Sequence, residues 1–249
     1  MLWFIWCVIT SGLIDKGNIF TGTLSTMSIA LSVDCMKNNT MSKDPYKRTA
    51  GLYDRMFESM NKGLRVLGIR MFIPPRGGSI LDVGCGTGAH LEMYQRYGGS
   101  LYGMDTSPTM LKVARERLGE KAELILADAE SMPFETASFD LILCMLTLHE
   151  MDDEVRSGVM NEMKRVVKAD GRVLLIDYHK GRPRSIKGWY YKMVILFAEI
   201  AAGRRHFRNY RHFMSVGGLP TLIERSQFEI EKSKITGEDL LGLYLIRGS

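Results

Sequence analysis

From Ser42 onward, short apolar runs alternate with stretches of helical periodicity. In YKRTAGLYDRMFESMNKGLRVLGIRMF, the residues Leu52, Met56, Met60, Leu64, Leu67 and Met71 recur at intervals of three and four, which predicts one or two helices. PPRGG, Pro74 to Gly78, ends them. Strand-like runs follow at ILDV, SLYGMD, AELILAD, SFDLILCMLTL and GRVLLIDYH, separated by helix-forming sequence or, after the third, by a loop. The fourth run is apolar nearly throughout, as befits a parallel strand covered on both faces. The helix DDEVRSGVMNEMKRVVKADG starts acidic and ends basic, which complements its dipole, and Gly171 is its expected stop. A turn at GGLP, a short helix and two strands joined at TGED close the chain as an antiparallel hairpin. The whole pattern predicts an α/β fold built on a mostly parallel sheet.

Residues 1–40 break this pattern. MLWFIWCVITSGLI carries no charge until Asp15, and a Ser/Thr/Gly/Asn-rich stretch follows it to Thr40. The run is shorter than the roughly 20 residues a spanning helix needs, and it lacks the basic start and small-residue cleavage site of a signal peptide. Two readings stand: a membrane-dipping anchor, or a loosely packed, disordered extension upstream of a start at Met36 or Met41. Residues 41–249 read as a single domain, with a helical lid at 41–76 and a basic amphipathic insertion at 180–225.

Composition adds little beyond size and charge. At 249 residues and 45% hydrophobic, the chain suits one large α/β domain. The cysteines Cys7, Cys35, Cys85 and Cys144 show no CxxC or Cys/His spacing, so neither a disulfide framework nor a metal site is expected, and a reducing compartment fits. The formal charge of +5 is local in origin: residues 180–213 hold nine Lys/Arg and one acid, Glu199.

The candidate chemistry begins in ILDVGCGTGAH, where Gly84, Gly86 and Gly88 alternate behind Asp82. Such glycines take positive φ and leave no Cβ between the backbone and a ligand, while the following helix offers unpaired N–H groups. The spacing is G-x-G-x-G rather than the G-x-G-x-x-G of a dinucleotide site, which holds a pyrophosphate. An acid before the loop suits a ligand with a cationic end.

This stretch resembles the first motif of class I S-adenosylmethionine (SAM)-dependent methyltransferases. The resemblance implies a Rossmann-like sandwich, a seven-stranded mostly parallel sheet with a C-terminal antiparallel hairpin, and S-adenosyl-L-methionine as cofactor. Asp82 would meet the cofactor's amino acid tail. Asp105, nineteen residues beyond Gly86 at the end of the second strand, would accept from the ribose hydroxyls. GMDTSPTML is similar to the family's second motif: Thr106 or Ser107 caps a helix with Pro108 in its first turn, and Met110 lies against the adenine. ADAESMPF resembles the adenine-reading loop, which gives Asp128 the exocyclic amine and the Ala129 N–H a ring nitrogen. Tyr46 and Tyr53 fall where such enzymes fold over the cofactor, or they simply pack.

The methyl acceptor should meet the cofactor at the carboxyl ends of the fourth and fifth strands, beside Thr147, His149 and Glu150, then Asp177, Tyr178 and His179. His149 is the first candidate for substrate positioning or general base, or it shapes the cofactor pocket; Tyr178 is the second. No N/D-P-P-Y/F or Pro-Cys follows the fourth strand, which argues against nucleic-acid base methylation. Tyr53 to Arg55, the HEMDD block and NYRHF…GGLP resemble the small-molecule branch, the ubiquinone/menaquinone biosynthesis methyltransferases and the phospholipid N-methyltransferases. The fourth-strand block departs from the quinone pattern, in which an arginine and an asparagine follow. WYYKMVILFAEIAA, flanked by basic clusters, suits a helix on an anionic membrane surface or a cover over a greasy substrate. The expectation is a cytoplasmic, peripherally membrane-associated methyltransferase with a small or lipid-like acceptor. A non-catalytic SAM-binding or RNA-associated protein is the alternative.

Overall fold

The central strand runs become strands because their side chains are apolar on both faces, and helices cover each face in turn. The structure, a computed structural model, describes residues 50–248, with side-chain surroundings from residue 61 onward. The expectations for residues 1–40, Tyr46 and the Tyr53 side chain lie outside the described residues. Strands β1 (Ile80–Val83), β2 (Leu101–Asp105), β3 (Glu123–Leu126), β4 (Phe139–Met145), β5 (Val167–Tyr178), β6 (Phe228–Thr236) and β7 (Leu241–Gly248) form one seven-stranded sheet. Its order is β3-β2-β1-β4-β5-β7-β6. The first five strands run parallel, and β7 pairs antiparallel with both β5 and β6. This is the class I methyltransferase arrangement, with the expected C-terminal hairpin turning through Gly237, Glu238 and Asp239 at positive φ.

Side chains alternate cleanly between two cores. Leu141, Leu143, Leu174, Ile176, Leu243 and Leu245 face helices α1 (Ala50–Met71), α2 (Ala89–Tyr94) and α3 (Pro108–Leu118), which contribute Leu64, Leu91 and Leu111. Ile142, Cys144, Val173, Leu175, Tyr244 and Ile246 face the other way, toward Val159 and Met163 of α4 (Asp153–Val166). On that side α5 (Ile186–Ala201), α6 (Arg204–Ser215) and α7 (Leu219–Arg225) follow, and Phe213 and Ile223 enter the core. The sheet order reverses between β1 and β4, so a crevice opens at the carboxyl ends of those two strands.

One boundary differs from expectation. Helix α4 ends at Val166, and β5 begins at Val167. Gly171 is therefore a strand glycine and not a helix stop. A Cβ there would lie 2.7 Å from the Phe139 carbonyl oxygen, so its absence lets β4 and β5 approach where their register shifts. The N–H groups of Ala137 and Ser138 donate to the Arg165 and Val166 carbonyls and close the helix end instead.

Candidate functional site

The crevice at the β1/β4 reversal is a cavity of about 530 Å³, within the range of small-molecule sites. Its floor is built from strand ends. Asp82 lies on β1, Asp105 ends β2, and Asp128 follows β3 by two residues; all three line the cavity, as do Gly84, Gly86, Thr106, Met110 and Ala129.

Each acid has a different setting. Asp82 is buried at 2% exposure, and burial, reinforced by Asp105 and opposed by Arg65, pushes its pKa up to about 8. A cationic ligand group beside it would relieve that burden. The Asp105 carboxylate accepts from the N–H of Gly86 at 2.9 Å through one oxygen and of Ser107 at 2.8 Å through the other. It thereby ties the glycine loop to the start of α3. Ser107, rather than Thr106, caps α3: its Oγ accepts from the Met110 N–H at 3.1 Å, with Pro108 in the first turn. That leaves Thr106 exposed on the cavity rim. Asp128 takes the Glu130 N–H at 3.0 Å and holds the loop on which Ala129 is buried.

The alternate glycines do not share one task. At Gly86, φ is +52° and nothing lies within 4 Å of a would-be Cβ, so its missing side chain is open room at the cavity. Gly88, also at positive φ, would place a Cβ 2.7 Å from Leu118 Cδ1 and 3.2 Å from Ala114 Cβ. It does not line the cavity; it lets α2 start against α3.

Several cavity residues escaped the sequence reading. Asn61 and Arg65 reach the cavity from α1, and His90 from α2. Asn61 Oδ1 and both ring nitrogens of His90 are buried without a hydrogen-bond partner. Burial, with Arg65 adding to it, holds the His90 pKa down near 3, so a neutral imidazole faces the site. Such orphaned polar atoms fit a ligand rich in donors and acceptors. The helical periodicity of α1 was legible; that its polar residues turn inward was not.

A second set of buried polar residues is organised behind the cavity wall. Thr147 and Glu150 line the wall, while His149 and Tyr178 sit behind it. His149 is buried, with Nδ1 2.7 Å from Asp177 Oδ1, and the Asp177 carboxylate also accepts from the N–H groups of Leu148, His149 and Tyr178. Burial pulls the His149 pKa down, but Asp177 outweighs it, with Glu150 and Glu199 adding, and the pKa rises to about 9. The Tyr178 hydroxyl donates to Glu199 Oε1 at 2.8 Å. Burial and the Glu199 charge push that phenol well above its ordinary pKa. Arg156, 1% exposed, clamps the segment after β4 by donating to the carbonyls of Leu148 and Met151. Asn209 of α6 donates to the Glu150 carbonyl at 2.7 Å. Glu199 was the one acid in a basic and apolar segment, which was its only signal in the sequence.

The strand order is that of the class I methyltransferase fold, and three acids meet in the cleft at its switch point. The chain matches, over residues 81–175, the model of the family described as methyltransferase domain. It is 30% identical over 145 residues to the ubiquinone/menaquinone biosynthesis C-methyltransferase UbiE of Burkholderia mallei, and likewise to that of Burkholderia thailandensis. The matched region is 54% of this chain and 59% of the relative, so the chain spans about three fifths of the curated relatives it matches. Among solved structures, a SAM-dependent methyltransferase from Aquifex aeolicus is similar over 74% of this chain and 89% of its own, with TM-score 0.52 and 18% identity. An S-adenosylmethionine-dependent methyltransferase from Mesorhizobium loti is similar over 73% and 95%, with TM-score 0.54 and 20% identity. These two likenesses establish the fold.

Proposed function

We propose that the chain is an S-adenosylmethionine-dependent methyltransferase acting on a small, hydrophobic or lipid-like acceptor at a membrane surface. The observation that carries the cofactor half is the convergence of Asp82, Asp105 and Asp128 on one cavity. When bound, S-adenosylmethionine supplies an electrophilic methyl group on a leaving group that is already activated. The residues have the work of binding and orienting. Asp82 takes the cationic amino acid tail, with Gly84 and Gly86 giving the backbone close approach. Asp105 takes the ribose hydroxyls with Thr106 at the rim. Met110 backs the adenine, Asp128 accepts from its amine, and the Ala129 N–H donates to its ring. His149 and Tyr178 belong to the acceptor side, where they hold the wall that carries Thr147 and Glu150.

The membrane part rests on α5. Ile186, Trp189, Met193, Phe197 and Ile200 are all exposed, Ile186 at 91%, and their spacing of three and four puts them on one face. No described helix is long and apolar enough to cross a membrane. An apolar stripe among lysines and arginines fits an interfacial helix on anionic lipid. The similar UbiE proteins are named for ubiquinone/menaquinone biosynthesis, which favours a quinone-type acceptor dissolved in lipid.

Calorimetry and methyl transfer test this reading. The purified chain should bind S-adenosylmethionine. Asp105→Ala should weaken binding roughly 10- to 100-fold, the cost of a charge-assisted hydrogen bond at about 1.5–3 kcal/mol. Label from the methyl group should enter the lipid or quinone fraction of a cell extract. No cofactor binding, or label confined to RNA, would overturn the proposal.

A further inference from the structure

Behind the cavity wall, two histidines far apart in sequence meet a carboxylate. His149 follows β4, His206 lies on α6, and ligating atoms of these two and of Glu150 all lie within 4.8 Å of one another. Each imidazole has a carboxylate against one of its nitrogens. His149 Nδ1 faces Asp177 Oδ1 at 2.7 Å, and its Nε2 lies 3.6 Å from Glu199 Oε1. His206 Nε2 is 2.7 Å from Glu199 Oε2, and its Nδ1 is 3.8 Å from Glu150 Oε2. We propose that His149, Glu150 and His206 bind a divalent transition-metal ion of the zinc type, with Asp177 and Glu199 as positioning carboxylates.

Three features carry the assignment. A histidine that binds a metal almost always donates its other N–H to a carboxylate or carbonyl, and both histidines have a buried carboxylate in that position. Two imidazoles and one carboxylate, with a further coordination position open, form the ligand set of catalytic zinc, whereas magnesium and calcium prefer all-oxygen shells. Finally, Asp177 and Glu199 are 1% and 4% exposed, and Glu199 Oε2 has no aligned donor despite the short contact to His206. An ion that fixes the His206 ring would align that contact. Sequence spacing held no sign of this because the ligands come from separate elements, one of them in the basic segment.

Glu150 also lines the cavity, which places one ligand of the ion at the wall of the cofactor cleft. Its role there rests on the methyltransferase reading; binding of the ion does not. An ion held there would lower the pKa of an acceptor hydroxyl beside it, so that the hydroxyl proton would pass to water and the oxygen's electron pair would form the bond to the methyl carbon as the carbon–sulfur pair leaves on sulfur.

The experiment titrates the chelator-treated full chain with Zn²⁺ by calorimetry and with Co²⁺ by visible absorption, and measures S-adenosylmethionine binding on the same sample. One ion per chain is expected, with cobalt bands of nitrogen and oxygen ligation. His206→Ala should weaken binding on the order of 100-fold, and Asp177→Asn about 10- to 100-fold as a partner behind the ligand. Glu150→Gln keeps shape and should weaken the ion as well, which guards against a misfolded His206→Ala. No stoichiometric ion in the wild type, or wild-type affinity in both Glu150→Gln and His206→Ala, would overturn the site. Ion binding without S-adenosylmethionine binding would leave the site standing and sink the methyltransferase reading. Transfer that is indifferent to removal of the ion would overturn its part in acceptor chemistry.

Discussion

Asp82 is the residue at which burial, charge and ligand binding are most tightly joined. Its pKa, raised from the ordinary 3.8 to about 8, means that the folded chain holds a proton there which the unfolded chain loses. The unfolded state binds fewer protons across that window, so stability from this group is greatest below about pH 4 and falls as pH rises to 8. A cationic ligand group favours the ionised form and reverses the cost. Cofactor binding near pH 7 should therefore release a proton, and affinity should climb as pH approaches 8. Calorimetry in buffers of different ionisation enthalpy reads the proton directly. In Asp82→Asn the proton release should vanish, affinity should drop, and the chain should lose its stability decline between pH 4 and 8. An unchanged proton count in that variant would assign the linkage to another group.

Between elements, the glycine loop separates ligand approach from helix packing, and two alanine substitutions tell them apart. Gly86 and Gly88 both have positive φ, so both variants carry the backbone strain of an L-residue there, about 1–2 kcal/mol. Gly88→Ala adds the collision with Leu118 and Ala114, both buried in the face of α3. Overpacking of that kind costs about 1–3 kcal/mol more. Urea unfolding should thus show Gly88→Ala as clearly the less stable variant, while Gly86→Ala loses cofactor affinity with the smaller fold penalty. The equal spacing of the glycines concealed this division, since a glycine that admits a ligand and one that admits a helix leave the same mark in sequence. Elements themselves were legible wherever apolar period and capping residues agreed, as at Ser107–Pro108 before α3. The end of α4 was not, because Gly171 serves the approach of β4 rather than the helix it seemed to close. The same distinction governs the site. Asp82, Asp105 and Asp128 could be found because each sits at or just beyond a strand end, a position that pattern locates. Arg65, His90, Glu199 and His206 come from helix faces whose direction is set only by packing.

Across the whole molecule the charge is segregated. Residues 180–213 hold nine Lys/Arg against one acid, although the chain as a whole is only +5, so the remainder is slightly acidic. Some of these bases are engaged: Arg205 and Arg208 pair with Asp152, and Arg184 with Asp239. Lys187 and Lys192 instead lie over the rings of Tyr191 and Trp189, beside the exposed stripe of α5. Apolar side chains in the acyl boundary and ammonium groups at the phosphates would act together, and the two contributions respond differently to salt. Vesicles of phosphatidylcholine with phosphatidylglycerol should bind the chain, and phosphatidylcholine alone should bind it less. Replacing Lys187 and Lys192 by alanine should cost about 1 kcal/mol each, roughly fivefold per lysine, and flatten the salt dependence. Ile186→Asp with Trp189→Asp should remove the salt-resistant part while shifting stability by only about 0.5 kcal/mol per site, as these side chains are already 91% and 56% exposed. Binding that survives the double aspartate variant would move the membrane contact away from α5. Binding lost entirely at moderate salt, with no difference between the wild type and that variant, would mean that charge alone holds the chain to its partner.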